Sequence, residues 1–281
     1  SNPGTTWQSP VKTLAVAEDL CTANRHDTVL VLAGATADNP AANIAWDKSY
    51  THLVGIGSEL PGLGQRCRVV AAAAAMHTPV ITFSGNGCIV KNMQFGNEHA
   101  TGDATGVVLV TGLRNYFKNV FFMVPFSATA ASYSLKMSDG GENVFESCTI
   151  GQMTCVRSEA THGLWIILGA GEANPTRNKF IPCEFLSWCV TAGHAHVTIA
   201  TDVTVEAFTL MFEDCLFLNI NGGADLAHAI IDGATNAGHR IILRGNNMFV
   251  GNGAGIADPA TRVYSGIAAA GTMVGAVAVG N

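Results

Sequence analysis

The feature that most constrains this chain is a seven-residue segment that occurs six times. Each copy has two or three mostly apolar residues, a turn-forming residue, two more residues and a large apolar one. The copies are IVKNMQF (89–95), YFKNVFF (116–122), VFESCTI (144–150), KFIPCEF (179–185), MFEDCLF (211–217) and LRGNNMF (243–249). Because successive copies are about 30 residues apart, the pattern indicates a solenoid in which each repeat is one structural unit.

A second series of short, β-branched and aromatic segments keeps step with the first. These segments are VITF (80–83), VVLV (107–110), YSLKM (133–137), LWIIL (164–168), HVTIA (196–200), AII (229–231) and RVY (262–264). No helical pattern of 10–15 residues lies between the strands, so βαβ units are excluded. The sequence therefore predicts an all-β fold, a right-handed parallel β-helix whose coils stack about 4.8 Å apart.

Two columns of residues then acquire structural roles. Since side chains alternate along a strand, the last apolar residue and the residue two before it are expected to point inward. The predicted core column comprises Phe95, Phe122, Ile150, Phe185, Phe217, Phe249, Cys148, Cys183 and Cys215. Asn and Asp tolerate the left-handed conformation of a tight corner. The predicted turn column comprises Asn92, Asn119, Ser147, Pro182, Asp214 and Asn246.

The segment that precedes the repeats is predicted to form the N-terminal end of the solenoid. Residues 8–23 carry an apolar helical face and are predicted to form a helix that caps the open end of the core. Segments 27–34, 51–57 and 67–71 read as strands. We expect a single β-helix domain over residues 1–265, with coils from about residue 27. Residues 266–281, rich in Gly and Ala, are expected to be a tail, a second cap or an assembly segment.

This layout resembles a known superfamily. The motif GTTW-x-x-P-x-x-T-L (4–14), followed by DTVLVLAG (27–34), HLVGIG (52–57) and the repeated Φ-x-N-x-x-F, is similar to the pectate-lyase-like right-handed β-helices. The resemblance covers residues 4–265. It implies a fold that pectin lyases, polygalacturonases and pectin methylesterases share with bacteriophage tailspike, fibre and decoration proteins. Fold alone does not select among these functions.

Composition and cysteine usage exclude several classes. With 15 basic against 21 acidic residues, the chain lacks the basic excess of a nucleic-acid binder. It has no run of 18 apolar residues, so a membrane partner is not expected either. The eight cysteines form no CxxC pair. They are expected to be reduced and mostly buried, which suits assembly in a cytoplasm.

Candidate catalytic residues are few. The family's polygalacturonases carry Asn-Thr-Asp, Asp-Asp, Gly-His-Gly and Arg-Ile-Lys segments, and its methylesterases carry DFxFG and LGRPW; this chain has none of them. Glycoside hydrolysis needs paired carboxylates, and the weak candidates are Glu184, Glu213 and Asp214. No catalytic residue is therefore assigned.

Cofactor and metal sites are also not expected. His194 and His196 lie two residues apart on a predicted strand and are the weak candidates for a metal. The candidates for further ligands of such a metal ion are His162 and His228. We therefore expect no cofactor and no bound metal.

These observations favour a non-catalytic virion protein of a bacteriophage, either a tailspike or fibre or a capsid decoration protein. Such a protein would assemble in the host cytoplasm as a homotrimer, contact other virion proteins and could bind a host surface glycan. Two alternatives stay open. One is a polysaccharide-degrading enzyme of the β-helix class, a hydrolase or lyase, in which case the protein would be secreted. The other is a bacterial surface adhesin.

Overall fold

The protein is a parallel β-helix, which confirms the predicted fold class. A computed structural model describes residues 3–34, 37–57, 67–72, 77–99, 105–127, 129–157, 160–167, 175–190, 193–201, 203, 209–220, 226–233, 240–252, 256–257 and 263–265. Three sheets run along the solenoid, and after the first coil successive strands belong to the three sheets in turn. Every pair of adjacent strands is parallel, as stacked coils require.

The strands fall into three sheets that we call A, B and C. Sheet A comprises β1 Thr28–Leu32, β3 His52–Ile56, β6 Ile89–Lys91, β9 Tyr116–Lys118, β12 Val144–Glu146, β15 Asn178–Ile181, β18 Thr209–Glu213, β21 Arg240–Arg244 and β24 Val263–Ser265. Sheet B comprises β4 Cys67–Ala71, β7 Met93–Asn97, β10 Phe121–Pro125, β13 Thr149–Arg157, β16 Glu184–Cys189, β19 Leu216–Asn219 and β22 Met248–Val250. Sheet C comprises β2 Ile44–Trp46, β5 Ile81–Phe83, β8 Gly106–Val110, β11 Tyr133–Met137, β14 His162–Ile166, β17 Ala195–Ile199, β20 Ile230–Asp232 and β23 Ile256–Ala257.

The N-terminal helix is shorter than predicted. Helix α1 covers Leu14–Leu20 rather than residues 8–23, because Thr13 caps its first turn by accepting the N–H of Val16 and Cys21 is already extended. Leu14 packs into the core at 5% exposure, whereas Leu20 is 52% exposed. The helix contacts β2 near the N-terminal end of the stack.

The interior consists of stacked aromatic columns. The predicted core column lies inside, with every member at most 8% exposed. On sheet B, Phe217 stacks at centroid distances of 4.7 Å on both Phe185 and Phe249. A second aromatic column, on sheet A, joins Phe117 to Phe145 at 4.7 Å and Phe145 to Phe180 at 4.6 Å. Stacking like residues on adjacent coils fills the core with little void.

The corner between sheets A and B is built from left-handed residues. Asn92, Asn119, Ser147 and Asp214 have φ between 52° and 56°. Two members of the predicted turn column differ. Pro182 is not left-handed, because its ring holds φ negative, and in the last coil the left-handed residue is Gly245, one position before Asn246.

The buried thiols also bond from coil to coil. The Sγ atoms of Cys148, Cys183 and Cys215 donate to the carbonyls of Phe117, Phe145 and Phe180 at 3.3–3.5 Å. All eight cysteines are free and seven of them are buried. Burial raises the pKa of the Cys183 thiol, so these groups act as neutral, weakly polar core residues.

The corner between sheets C and A holds a buried asparagine ladder that the sequence analysis missed. Asn115 and Asn143 donate their backbone N–H groups to the Oδ1 atoms of Asn143 and Asn178, at 2.8 and 2.9 Å. The Nδ2 atoms of Asn115 and Asn143 donate to the carbonyls of Gly85 and Gly112. Each asparagine thus satisfies backbone groups that the tight corner would leave unpaired.

None of the described residues forms a helix long and apolar enough to span a bilayer. The predicted C-terminal tail, residues 266–281, lies outside the described residues.

Replacing the middle rung of the ladder should destabilise the whole fold. Asn143→Ala leaves the buried N–H of Asn115 and the carbonyl of Gly112 without their partners, which should cost about 2–4 kcal/mol of unfolding free energy in urea denaturation. The control is Asn246→Ala, at an exposed corner position, which should change stability little. Equal effects of the two variants would contradict the role of the ladder.

Candidate functional site

The three candidate carboxylates do not form one site. Glu184 and Asp214 line a pocket of about 250 Å³ at the corner between sheets A and B, together with Ser147, Thr149 and Pro182. The Oδ1 atom of Asp214 accepts the backbone N–H of Asn246 at 2.7 Å, so this carboxylate stabilises the corner.

Glu213 belongs to a different surface from that pocket. It lies on sheet A, where Oε1 is 3.3 Å from Nε of Arg244. The structure therefore places Glu184 and Asp214 together and separates Glu213 from them.

The two candidate metal ligands are buried in the core. His194 and His196 are 2% and 1% exposed, and Nδ1 of His194 lies 2.8 Å from Oγ1 of Thr161. The His196 ring is 6.1 Å from the ring of Phe217. Burial lowers the pKa of His196 to about 3. Within the described part of the chain, no three His, Cys, Asp or Glu side chains group in a way that could hold a metal ion.

A cluster of aromatic and basic side chains forms where Tyr133, which is 4% exposed, meets half-buried side chains on the outer face of sheet C. We define the sheet C cluster as Tyr133, Lys136, His162, Trp165 and Thr198. Tyr133 is in register with His162, and Lys136 is in register with Trp165 and then Thr198. The repeat of the coil therefore brings residues 65 positions apart in sequence onto one surface.

Contacts within the sheet C cluster fix its geometry. The imidazole of His162 stacks on the indole of Trp165 with a centroid distance of 4.9 Å and an interplanar angle of 28°. The Nζ atom of Lys136 lies 4.2 Å from the Trp165 ring centroid and 5.4 Å from that of Tyr133. The Nδ1 atom of His162 is 2.8 Å from Oγ1 of Thr198, which orients the ring. A cation, an imidazole and a phenol thus surround one indole.

The protonation states in the cluster are set by burial. Burial raises the pKa of Tyr133 to about 12, so its hydroxyl keeps its proton at neutral pH. Burial, and then the charge of Lys136, lower the pKa of His162 to about 4, so its imidazole is neutral. The site therefore offers a neutral base, a neutral acid and an ammonium group within one surface.

A buried arginine holds the segment that leads into Tyr133. Arg157 is 1% exposed and donates to the hydroxyl of Ser132 at 2.9 Å, to the carbonyl of Ser127 at 2.6 Å and to the carbonyl of Pro125. Because Ser132 precedes Tyr133, the guanidinium fixes the start of β11. Arg157 is thus a positioning residue for the cluster.

The sequence carried only a partial signal for this cluster. Tyr133 and Lys136 are three residues apart, and so are His162 and Trp165 on the next strand. Equal spacing in consecutive repeats is consistent with the observed register of Tyr133 with His162 and of Lys136 with Trp165. Residues three apart on a regular strand point to opposite faces, so the spacing does not predict the contact between the two columns.

Comparison with known proteins identifies solved structures that have the same fold. No protein-family model and no curated protein sequence matches the chain. Several solved structures do match the chain. Pectin methylesterase PemA from Erwinia chrysanthemi matches with a TM-score of 0.58 and 15% identity over 93% of this chain and 85% of that one. A pectin methylesterase in complex with a hexasaccharide matches with 0.57 and 15% over 91% and 84%. The enzyme from Aspergillus niger matches with 0.55 and 12% over 92% and 81%.

These matches correct two expectations from the sequence. The sequence predicted a bacteriophage virion protein rather than an enzyme, yet the solved structures that share its fold over nine-tenths of its length are pectin methylesterases. At identities of 12–15%, this likeness shows the shared β-helix fold alone.

The buried histidines should make the fold sensitive to acid. The pKa of His162 is about 4 in the folded protein against about 6.5 in an unfolded chain, so the unfolded state binds more protons between these values. Stability should be fully present above about pH 6.5 and should fall as the pH drops toward 4. Urea denaturation of His162→Gln should give a shallower pH dependence than the wild type over this window. An unchanged slope would contradict the lowered pKa of His162.

The charge of Lys136 should be visible in the same titration. Lys136→Met removes the like charge beside His162, so the His162 pKa should rise, while burial still keeps it below its ordinary value. Histidine proton NMR over pH 3–8 measures this shift. A His162 pKa unaffected by the substitution would show that the two groups do not interact.

Proposed function

We propose that this protein is a polysaccharide-degrading enzyme that acts on an acidic glycan bound across the outer face of sheet C. The observation that carries the proposal is the clustering of Lys136, Tyr133, His162 and Trp165 on that face. An indole offers an apolar surface for a sugar ring, and an ammonium group can pair with the carboxylate of a uronic acid. The enzymes that share this fold, one of them in complex with a hexasaccharide, support a carbohydrate ligand.

The side chains present favour β-elimination over hydrolysis. Glycoside hydrolysis needs a pair of carboxylates. The described strand positions in register with Lys136 include no acidic residue; they are Ala45, Thr82, Leu109, Trp165, Thr198, Ile231 and Ala257. Ester hydrolysis, the activity named for the related structures, is disfavoured because the methylesterase segments DFxFG and LGRPW are absent from the sequence. A base, an acid and a cation are the groups that elimination requires.

The proposed reaction assigns one role to each of three side chains. Lys136 pairs with the uronate carboxylate and stabilises the negative charge that develops when the neighbouring carbon is deprotonated. The Nε2 atom of His162 takes the C5 proton, and the electrons of that C–H bond form the C4=C5 double bond. The bond from C4 to the glycosidic oxygen breaks, and the hydroxyl of Tyr133 protonates the leaving oxygen. The products are a new non-reducing end with an unsaturated uronate and a shortened chain.

Product analysis tests this assignment. The protein is incubated with polygalacturonate, alginate, hyaluronan and methyl-esterified pectin, and unsaturated uronate, reducing ends and methanol are followed separately. At least one substrate should yield unsaturated uronate. His162→Ala and Tyr133→Phe should each lower the rate about 10²–10⁴-fold, as expected for loss of a general base or acid. Tyr50→Phe, at a half-exposed corner position, is the matched control and should retain activity.

The other products separate the alternatives. Reducing ends without unsaturation would replace elimination by hydrolysis, and methanol release alone would replace it by ester hydrolysis. Absence of every product would overturn the proposed function.

A further inference from the structure

The outer face of sheet A concentrates the positive charge of this acidic protein. The strands of sheet A carry outward-pointing Lys91, Lys118, Lys179, Arg240 and Arg244. Arg114 and Arg177 lie at the adjoining corner and are 71% and 60% exposed. Seven of the 15 basic residues of the chain are therefore on this one surface.

Acidic residues are sparse on the same surface. Among the described residues of its strands and adjoining corners, the carboxylates are Asp139, Glu142, Glu146, Glu213 and Asp214, which are five of the chain's 21 acidic residues. The remainder of the chain carries eight basic against 16 acidic residues. The charge is thus segregated, and the net charge of −6 conceals a face with a surplus of two positive charges.

Two of these carboxylates, Glu142 and Glu146, are held in place by hydrogen bonds from their neighbours. Glu146 accepts from Nζ of Lys118 at 2.7 Å and from the hydroxyl of Tyr116 at 2.5 Å, and these bonds lower its pKa. Glu142 accepts from Arg114 at 2.5 Å on one side and from Arg177 at 2.5 Å on the other. These acids therefore stay ionised and order the basic side chains around them.

Two lysines on this face are direct neighbours. Lys91 is in register with Lys118 on the next coil. Like charges directly opposite each other destabilise a sheet. The Nζ atom of Lys91 lies 5.7 Å from the Tyr116 ring centroid, whereas Lys118 turns to Glu146. An anionic ligand over this pair would relieve the repulsion.

We infer that the outer face of sheet A is a second binding surface, separate from the sheet C cluster, that holds an acidic polysaccharide along the solenoid axis. The inference rests on the proposed function for the class of ligand. Six strands, from β6 to β21, carry the charged residues, so the surface is about 24 Å long at about 4.8 Å per coil. That length accommodates several sugar units of an extended chain.

The mixture of charges favours a polysaccharide over a nucleic acid. A uronate polymer carries hydroxyl groups between its carboxylates, so lysines can pair with the carboxylates while Glu146 and Glu213 accept hydrogen bonds from hydroxyls. A nucleic acid has a dense line of phosphates, and the same two carboxylates would repel it. Tyr116, whose hydroxyl is bonded to Glu146, is not presented as a stacking platform for bases.

Binding measurements with two charge-matched variants test this inference. Lys91→Gln combined with Lys179→Gln removes two positive charges from the sheet A face. Lys12→Gln combined with Arg68→Gln makes the same change in net charge elsewhere. Isothermal titration with polygalacturonate at two salt concentrations should show about fivefold weaker binding and a smaller salt dependence for the sheet A variant. The control variant should bind as the wild type does.

Separate outcomes distinguish this surface from the catalytic proposal. If the sheet A variant loses binding while no polymer is degraded, the surface stands and the proposed function fails. If polymer is degraded but the sheet A variant binds as tightly as the wild type, the surface is refuted and the proposed function stands. Equal weakening in both variants, or tighter binding of single-stranded DNA than of polygalacturonate, would also overturn the inference.

Discussion

The structure depends on hydrogen bonds that fix each coil directly above the next. Parallel strands can in principle slip by one residue, and such a slip would turn the aromatic core outward. The ladder of Asn115, Asn143 and Asn178 prevents this, because each backbone N–H at the corner meets the side-chain oxygen of the following coil. At the corner between sheets A and B, the thiols of Cys148 and Cys183 also bond from coil to coil, by donating to backbone carbonyls. Register is therefore specified by polar groups as well as by the hydrophobic core.

Fixed register is also what creates the surfaces of the molecule. Loops of different length separate the strands, yet Tyr133 still lies opposite His162, and Lys136 opposite Trp165. A column on the outside of a β-helix is thus as well defined as a column on the inside. The stacked imidazole and indole on sheet C and the paired lysines on sheet A are both consequences of the ladder beneath them.

Much of the fold could be predicted from the sequence, because a repeated apolar period of about 30 residues allows few architectures. The core column, from Phe95 to Phe249, is buried as that period implies. The Asn115 ladder was missed because asparagines were considered only where they interrupt the seven-residue segment. Pro182 and Asn246 were assigned to the turn column because of their position in the seven-residue segment. They are not left-handed, because backbone conformation at a corner depends on the individual residue.

Function was harder to predict, for a physical reason. Motif searches look for residues that are close in sequence, but a solenoid assembles its sites from residues one coil apart. The sheet C cluster therefore carries no linear motif, and the search for carboxylates passed over it. The net charge of the chain also did not reveal the basic face of sheet A. A sum over all 281 residues hides a basic face on an acidic protein.

The most direct test of the account is to observe where a short acidic oligosaccharide binds. NMR of the tryptophan side chains in ¹⁵N-labelled protein separates the half-buried indole of Trp165 from that of Trp46, which is fully buried in the core. Titration with a uronate tetrasaccharide should shift the Trp165 resonance in a saturable manner and leave that of Trp46 in place. Saturable binding that leaves the Trp165 resonance unchanged would show that the ligand does not occupy the sheet C cluster and would contradict the account.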